Sequence, residues 1–268
     1  TIGTLHSLGN KLGMQGERGS GDGYWDSVLP DQLVEHLKNM PDELKYDTVV
    51  IDEAQDFHAD WWSVVIGALR DEDKGRIYAF GDIRQGIFRQ ATDIPLQQSK
   101  LHLDKNLRNA LPIAQLAALC VEEPLDLIGL DGPPVQWVES TNEEAEAAAN
   151  EEVKKLISQG WKLSDICVLT TGSRHELQRT QGDGAMSRPY WKRYFEEESV
   201  YHCTIGGFKG LERRAVVIAM NGWKEPDRKK DILYTGITRA RDLLIICGSK
   251  EEITQSGGKE FFKKLARN

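Results

Sequence analysis

The sequence predicts an α/β protein built as two parallel-sheet units, and three observations predict it. Short apolar runs alternate along the chain with longer runs whose apolar residues recur at helical spacing. The short runs are nearly all apolar, as in "TVVID" (48–52), "RAVVIAM" (214–220) and "DLLIICG" (242–248), the pattern of strands covered on both faces. The alternation also restarts after "GLDGPP" (129–134), the best linker candidate, which divides the chain into 1–128 and 129–268. At 268 residues there is length for two ordinary domains.

Taken in order, "GMQGERGSGDG" (13–23) is Gly-rich and polar and reads as a loop. Residues 27–40 show helical spacing, and "PDELKYD" leads into the strand 48–52. "ADWWSVVIGALRD" (59–71) predicts a helix and "RIYAFGD" (76–82) a second buried strand. A helix over 111–122 begins beside a proline, which suits a first turn. Past the linker come the strand "VQWVE" (135–139) and a helix over 142–160. That helix carries acids near its start and Lys154 and Lys155 near its end, as its dipole favours. Strands at 165–171, 200–205, 214–220 and 242–248 follow, with a helix over 230–241 between the last two.

Composition excludes several classes. No apolar run is long enough to cross a bilayer and no basic-then-apolar leader opens the sequence, so no membrane partner is expected. The four cysteines form no CxxC pair, and three lie in or beside apolar runs. They read as buried thiols of a reducing, cytoplasmic protein. A net charge of −8 forbids a uniformly basic surface. A polyanion would have to use local patches, with "RPYWKR" (188–193), "FKGLERR" (208–214) and "KEPDRKK" (224–230) as candidates.

The chemistry concentrates at strand ends. "YDTVVIDEAQDF" (46–57) runs from apolar residues straight into carboxylates, which are costly there unless a cation sits beside them. Such an Asp-Glu pair can place Asp52 on a Mg²⁺ shell beside phosphates, and Glu53 where it orients or deprotonates a water, the alternative being solvated acids at a strand end. "FGDIRQGIF" (80–88) also follows a buried strand and brings Asp82 and Gln85 to the carboxyl end of a parallel sheet, where ligands gather.

Taken together, "GTLHSLG" (3–9), "VVIDEAQDF", "GDIRQGIF", "LDKNLRN" (103–109), "TIGGFKGLERRAVVI" (204–218) and "LYTGITRARDLLII" (233–246) resemble, in order, motifs of the UvrD/Rep-like superfamily 1 helicases. The resemblance implies two RecA-like (P-loop NTPase type) domains, the first incomplete, and an ATP- and Mg²⁺-dependent motor on single-stranded DNA, with RNA as an alternative strand. It implies a cleft lined by Asp52, Glu53, Gln85, Arg108 and Arg239. Arg108 and Arg239 match the arginines that reach the γ-phosphate, and Gln85 the glutamine that senses it. Lys209 and Glu212 match nucleotide-side positions. Thr4, His6, Ser7 and Thr204 match strand-contacting positions, and Phe88 the aromatic on which a base stacks.

The chain departs from the pattern in several places. The phosphate loop G-x-x-x-x-G-K-[ST] occurs nowhere in it. The expectation is therefore a portion of a motor that begins inside its first domain, inactive toward ATP by itself, with self-association through the incomplete first sheet. Leu107 stands where many members have an adenine-stacking tyrosine, Gln90 where a second DNA-stacking aromatic is found, and Gly206 and Gly207 replace a His-Ser pair. The competing reading is a non-catalytic nucleic-acid- or partner-binding module with a degenerate helicase fold.

Overall fold

A computed structural model describes residues 3–4, 7–8, 24–82, 101, 105–121, 127–180, 192, 194–196 and 199–267. His6, Gln85 and Phe88, together with Gln90, Tyr190 and Trp191, lie outside the described residues. The chain forms two compact units, Thr1–Ser99 and Lys100–Asn268. Both are mixed α/β with parallel strands, as the alternation predicts.

In the first unit, α1 (Leu29–Lys38) and α2 (Trp61–Gly67) pack through Leu29, Leu33 and Leu37 against Val64 and Ala68. The spacing of those leucines is one helical face. The other side of α2 lays Trp62 and Val65 on Ile51 and Ala54 at the end of the sheet. That sheet pairs β1 (Thr48–Ile51) with β2 (Arg76–Ala79) in parallel, Val50 opposite Tyr78. A parallel pair needs a crossover, and α2 lies between these strands in the chain. The expectation of burial on both faces is not met for the described strands of this unit. Val50, Tyr78 and Phe80 are exposed at 63%, 49% and 54%. These strands alternate inside and outside at period two, because the described helices cover one face.

The second unit meets the expectation in its central strands, whereas the edge strand Gln136–Val138 is exposed or half-buried. Its sheet has the order β3-β7-β6-β4-β5, all parallel, with β3 Gln136–Val138, β4 Ile166–Thr170, β5 Tyr201–Thr204, β6 Arg213–Ala219 and β7 Ala240–Cys247. On one face, Ala145, Ala149, Val153 and Leu156 of one helix (Ala145–Ser158) pack on Ile166, Val168, Val217 and Ile245. The alternate residues Leu169, Val216, Ile218, Leu244 and Ile246 are also buried. On that side Gly236, in the helix Lys229–Ile237, comes so near that a Cβ would lie 2.7 Å from Ile205 and 3.2 Å from Ile218. Among the described residues the helices of this unit include, in chain order, α3 (Leu111–Ala117), α4 (Ala145–Ser158), α5 (Glu176–Thr180), α6 (Lys229–Ile237), α7 (Lys250–Gly257) and α8 (Lys259–Ala266). The four cysteines are free and buried, and burial pushes the Cys120 and Cys247 thiols up to about 12.

Two boundaries differ from the sequence reading. Sequence patterning divides the chain at 128/129, whereas the compact units divide at 99/100. Hydrogen bonds explain the difference: Ala110 N–H donates to Arg241 O at 2.7 Å and Leu111 N–H to Leu130 O at 2.9 Å, which ties the start of α3 to the second unit. The helix expected over 230–241 ends at Ile237, and β7 begins at Ala240. The Asn109 side-chain amide donates to Thr238 O and Ala240 O, and strand pairing with β6 takes over at Ala240. Long-range partners thus end a helix that local spacing would continue.

A buried imidazole pair makes the second unit sensitive to acid. His175, just before α5, and His202 on β5 stack with ring centroids 4.5 Å apart. Burial, then the neighbouring His175, lowers the His202 pKa to about 4, and burial lowers that of His175 against the opposing pull of Glu146 and Glu176 and with the help of Arg179. An unfolded histidine titrates near about 6.5. Above that value both states are neutral and the full stability is present. As pH falls below it the unfolded chain takes up protons first, so stability declines progressively toward the folded value near 4. Urea unfolding should lose about 2 kcal/mol between pH 7 and pH 5. His202→Phe should remove much of that loss, and an unchanged pH dependence in this variant would refute the assignment.

Candidate functional site

In the first unit, the carboxylates of "DEAQD" stand at the carboxyl end of β1. Phe80 N–H donates to Ile51 O and Ala54 N–H to Phe80 O, both at 2.8 Å, so the chain after β1 is tied to the end of β2. Between those anchors Glu53 adopts a left-handed conformation, φ 53° and ψ 43°, the one non-glycine residue with positive φ among the described residues. Such strain costs on the order of 1 kcal/mol and tends to be kept where a side chain must be aimed. Here it accompanies a hydrogen bond from the Gln55 side-chain amide to the Glu53 carboxylate at 2.5 Å. Asp52 is exposed, and its Oδ1 accepts the Glu53 N–H at 2.9 Å.

Gln55 is the residue that sequence reading left without a role. It is 3% exposed and its Oε1 accepts the Asp82 N–H at 3.0 Å while its Nε2 holds Glu53. One buried amide therefore connects the two acidic strand ends. Gly81 makes room for it, since a Cβ there would lie 2.6 Å from Gln55 Oε1. The available signal was a polar, uncharged residue inside an otherwise acidic turn.

The described donor set limits what metal could sit here. Among the described residues no group of three His, Cys, Asp or Glu side chains is placed to hold a metal. Exposed Asp52 offers one carboxylate that suits a hard dication whose other ligands are waters or phosphate oxygens, as Mg²⁺ accepts.

In the second unit, two of the expected charged positions, Arg108 and Glu212, meet at the amino ends of β6 and β7, and Arg241 joins them. Arg108 Nε lies 2.9 Å from Glu212 Oε2, and Arg241 Nη1 lies 3.4 Å from Glu212 Oε1. Arg108 is held by its own loop: Asn106 Oδ1 accepts the N–H groups of Arg108 and Asn109 at 3.2 Å each, and Asn106 Nδ2 donates to Asn109 Oδ1 at 2.9 Å. Arg239 is placed differently. It is 1% exposed and donates to Thr235 O at 3.1 Å, Leu211 O at 3.3 Å and Thr238 Oγ1 at 3.1 Å. Its guanidinium ties α6 to the segment before Glu212, while Arg241, given no role by the sequence, reaches the carboxylate.

The remaining positions are occupied locally. Thr204, at the carboxyl end of β5, accepts the Gly207 N–H on Oγ1 at 3.2 Å. A Cβ at Gly207 would lie 2.8 Å from Cys203 Sγ, which accounts for glycine there. Thr204 and Glu212 thus stand at opposite ends of the parallel sheet, joined by the turn that carries half-buried Lys209. Thr4 Oγ1 accepts the Ser7 N–H at 3.1 Å, and Ser7 Oγ donates to Thr4 O at 2.8 Å.

Several described residues of the basic stretches 208–214 and 224–230 have partners within the second unit. Arg213 stacks 3.8 Å over the Tyr194 ring, Arg214 pairs with Asp242 and Asp165, and Lys229 pairs with Glu252.

Residues 199–247 match the family model of the UvrD-like helicase C-terminal domain. The match covers β5, β6, α6 and β7, and with them Thr204, Lys209, Glu212, Arg239 and Arg241. No curated protein matches the chain.

The buried Asn109 amide, 4% exposed, links the Arg108 loop to the start of β7, so its removal should be costly. Asn109→Ala would leave two buried carbonyls short of a donor and should destabilise the protein by about 1–3 kcal/mol. Urea unfolding checks this, and a change below about 0.5 kcal/mol, the ordinary range of surface substitutions, would contradict the network.

Proposed function

We propose that this chain, whose residues 199–247 match the family model of the UvrD-like helicase C-terminal domain, works as the core of an ATP-driven motor on single-stranded DNA. The observation that carries the reading is the meeting of Arg108 with Glu212, two segments distant in sequence whose motifs both face nucleotide in that resemblance. ATP with Mg²⁺ would supply the phosphoryl transfer that drives translocation. In this reading Asp52 is a Mg²⁺ ligand, Glu53 orients the attacking water, and Gln55 holds Glu53 in its strained conformation. Gln85 senses the γ-phosphate, and Arg108 and Arg239 offset charge that develops in transfer. Lys209 and Glu212 face the nucleotide. Arg239 would have to give up backbone carbonyls to do so, whereas Arg108 is half-exposed. Thr4, His6, Ser7 and Thr204 contact the strand's backbone, and Phe88 stacks on a base.

The second reading, a nucleic-acid- or partner-binding module without turnover, is favoured by one sequence observation: no phosphate-loop motif occurs in the 268 residues. The two readings separate by experiment. Both nucleic-acid readings expect the chain to bind a labelled oligothymidine, with affinity falling steeply between about 50 and 200 mM salt. In a phosphate-release assay the chain by itself should show no turnover above background. In a longer form that carries a phosphate loop, DNA-stimulated turnover should appear and Arg108→Ala should lower kcat by roughly 10²–10⁴-fold. Parental turnover in that variant would sink the motor assignment, and failure to bind oligothymidine even at low salt would sink the nucleic-acid one.

A further inference from the structure

We infer that α5 is an acid-released latch on the edge strand β5, and that His175 is its catch. A proton taken up by His175 unfastens the helix from β5 while the rest of the sheet stays paired. All the residues concerned belong to the second unit, and the latch rests on neither the nucleotide nor the strand reading.

The attachment of α5 is unusual for a helix on a parallel sheet. The neighbouring α4 docks through Ala145, Ala149, Val153 and Leu156. By contrast α5 turns its leucine outward, with Leu177 42% exposed. Its buried side chains are polar: Gln178 is 4% exposed and His175, just before the helix, 1%. A helix held in this way keeps its place only while those groups stay matched, because little apolar burial supports it.

His175 has one matched nitrogen and one unmatched. Its Nδ1 accepts the Leu177 N–H at 3.1 Å, so the neutral ring carries its proton on Nε2. Nε2 is buried without a hydrogen-bond partner, and Glu146 Oε2 lies 3.9 Å from it. The ring stacks on His202 of β5 with centroids 4.5 Å apart, and His202 Nδ1 is likewise buried without a partner. The charged groups that face this pair are Glu146 from α4 and Glu176 and Arg179 from α5.

A proton undoes the match. An imidazolium has two N–H donors and no acceptor, so Nδ1 can no longer cap the Leu177 N–H. The new charge also lies against the His202 ring, while Glu146 draws it the other way. Glu146 already accepts the Glu176 N–H at 3.1 Å and the Asn221 amide at 2.7 Å, and Asn221 Oδ1 accepts the Gly172 N–H at 2.9 Å. His175 turning toward Glu146 therefore pulls on the carboxylate that holds the start of α5. Burial keeps both rings neutral in the latched form, against the pull of Glu146 and Glu176 on His175. Below about 6.5 the open form binds more protons than the latched one. The latch is whole above that pH and weakens as pH falls.

The test is hydrogen–deuterium exchange on the full chain at about pH 7.5 and pH 5, corrected for the intrinsic pH dependence of amide exchange. Protection of the amides of 176–179 should fall about 10-fold or more between the two. At the lower pH these amides should exchange far faster than those of β4 and β6. His202→Phe keeps a ring beneath His175 and removes the second titration, so the loss at α5 should persist. Adding His175→Asn to that variant supplies an amide oxygen to the Leu177 N–H, as in an Asx-turn, and should cut the loss to below about 3-fold. Equal protection of α5 at both pH values overturns the inference. So does exchange of α5 in step with β4 and β6, which would make the acid effect one of the whole unit. An undiminished loss in the double variant would put the titrating group elsewhere and overturn it too. Should either variant fail to fold, the two comparisons on the unaltered chain still decide.

Discussion

In the second unit every strand runs parallel and the central ones are covered on both faces, and that constraint governs where its polar groups can stand. A strand buried on both sides cannot carry a charge along its length without a large desolvation cost. Charged and hydrogen-bonding groups are therefore driven to the strand ends. There they meet residues from other strands that are distant in sequence but adjacent in the sheet. Glu212 and Arg241 come together because β6 and β7 pair, and Arg108 joins them because its loop is bonded to the first residues of β7.

The same constraint separates groups that sequence places close together. Thr204 and Glu212 belong to one short motif, yet they stand at opposite ends of the sheet, since β5 and β6 point the same way and the chain must return between them. A close-packed turn makes the return: Gly207 presses on Cys203, and Phe208 is fully buried. One motif can thus serve two surfaces. Arg239 shows the converse, a charged residue kept in the interior because three oxygens from α6 and its surroundings accept its donors. A buried guanidinium bonded to carbonyls holds elements together, whereas half-exposed Arg241, two residues later, pairs with Glu212.

In the first unit a single amide has a comparable role. The Gln55 side chain spans the ends of β1 and β2 and holds Glu53 in a conformation that costs energy. The arrangement gives a carboxylate a fixed direction beside an exposed Asp52. Orientation of this kind is worth more to a reacting site than to a surface turn.

Much of this was legible in the sequence. The order of strands and helices, the α/β class and the parallel pairing all follow from apolar runs alternating with helical periodicity, because those patterns report which faces must leave water. The acidic strand end at Asp52 and Glu53 was also visible, as a local string that follows an apolar run. Tertiary structure alone decided the rest. It decided that α3 belongs with the second unit, that the helix before β7 stops at Ile237, that Arg239 turns inward while Arg241 meets Glu212, and that Gln55 aims Glu53. Each of these is set by hydrogen bonds or ion pairs between residues far apart in the chain or across a turn, and local spacing carries no record of which distant carbonyl or carboxylate a side chain will find. Periodicity determines which residues are buried; the sheet's register determines which of the polar ones meet.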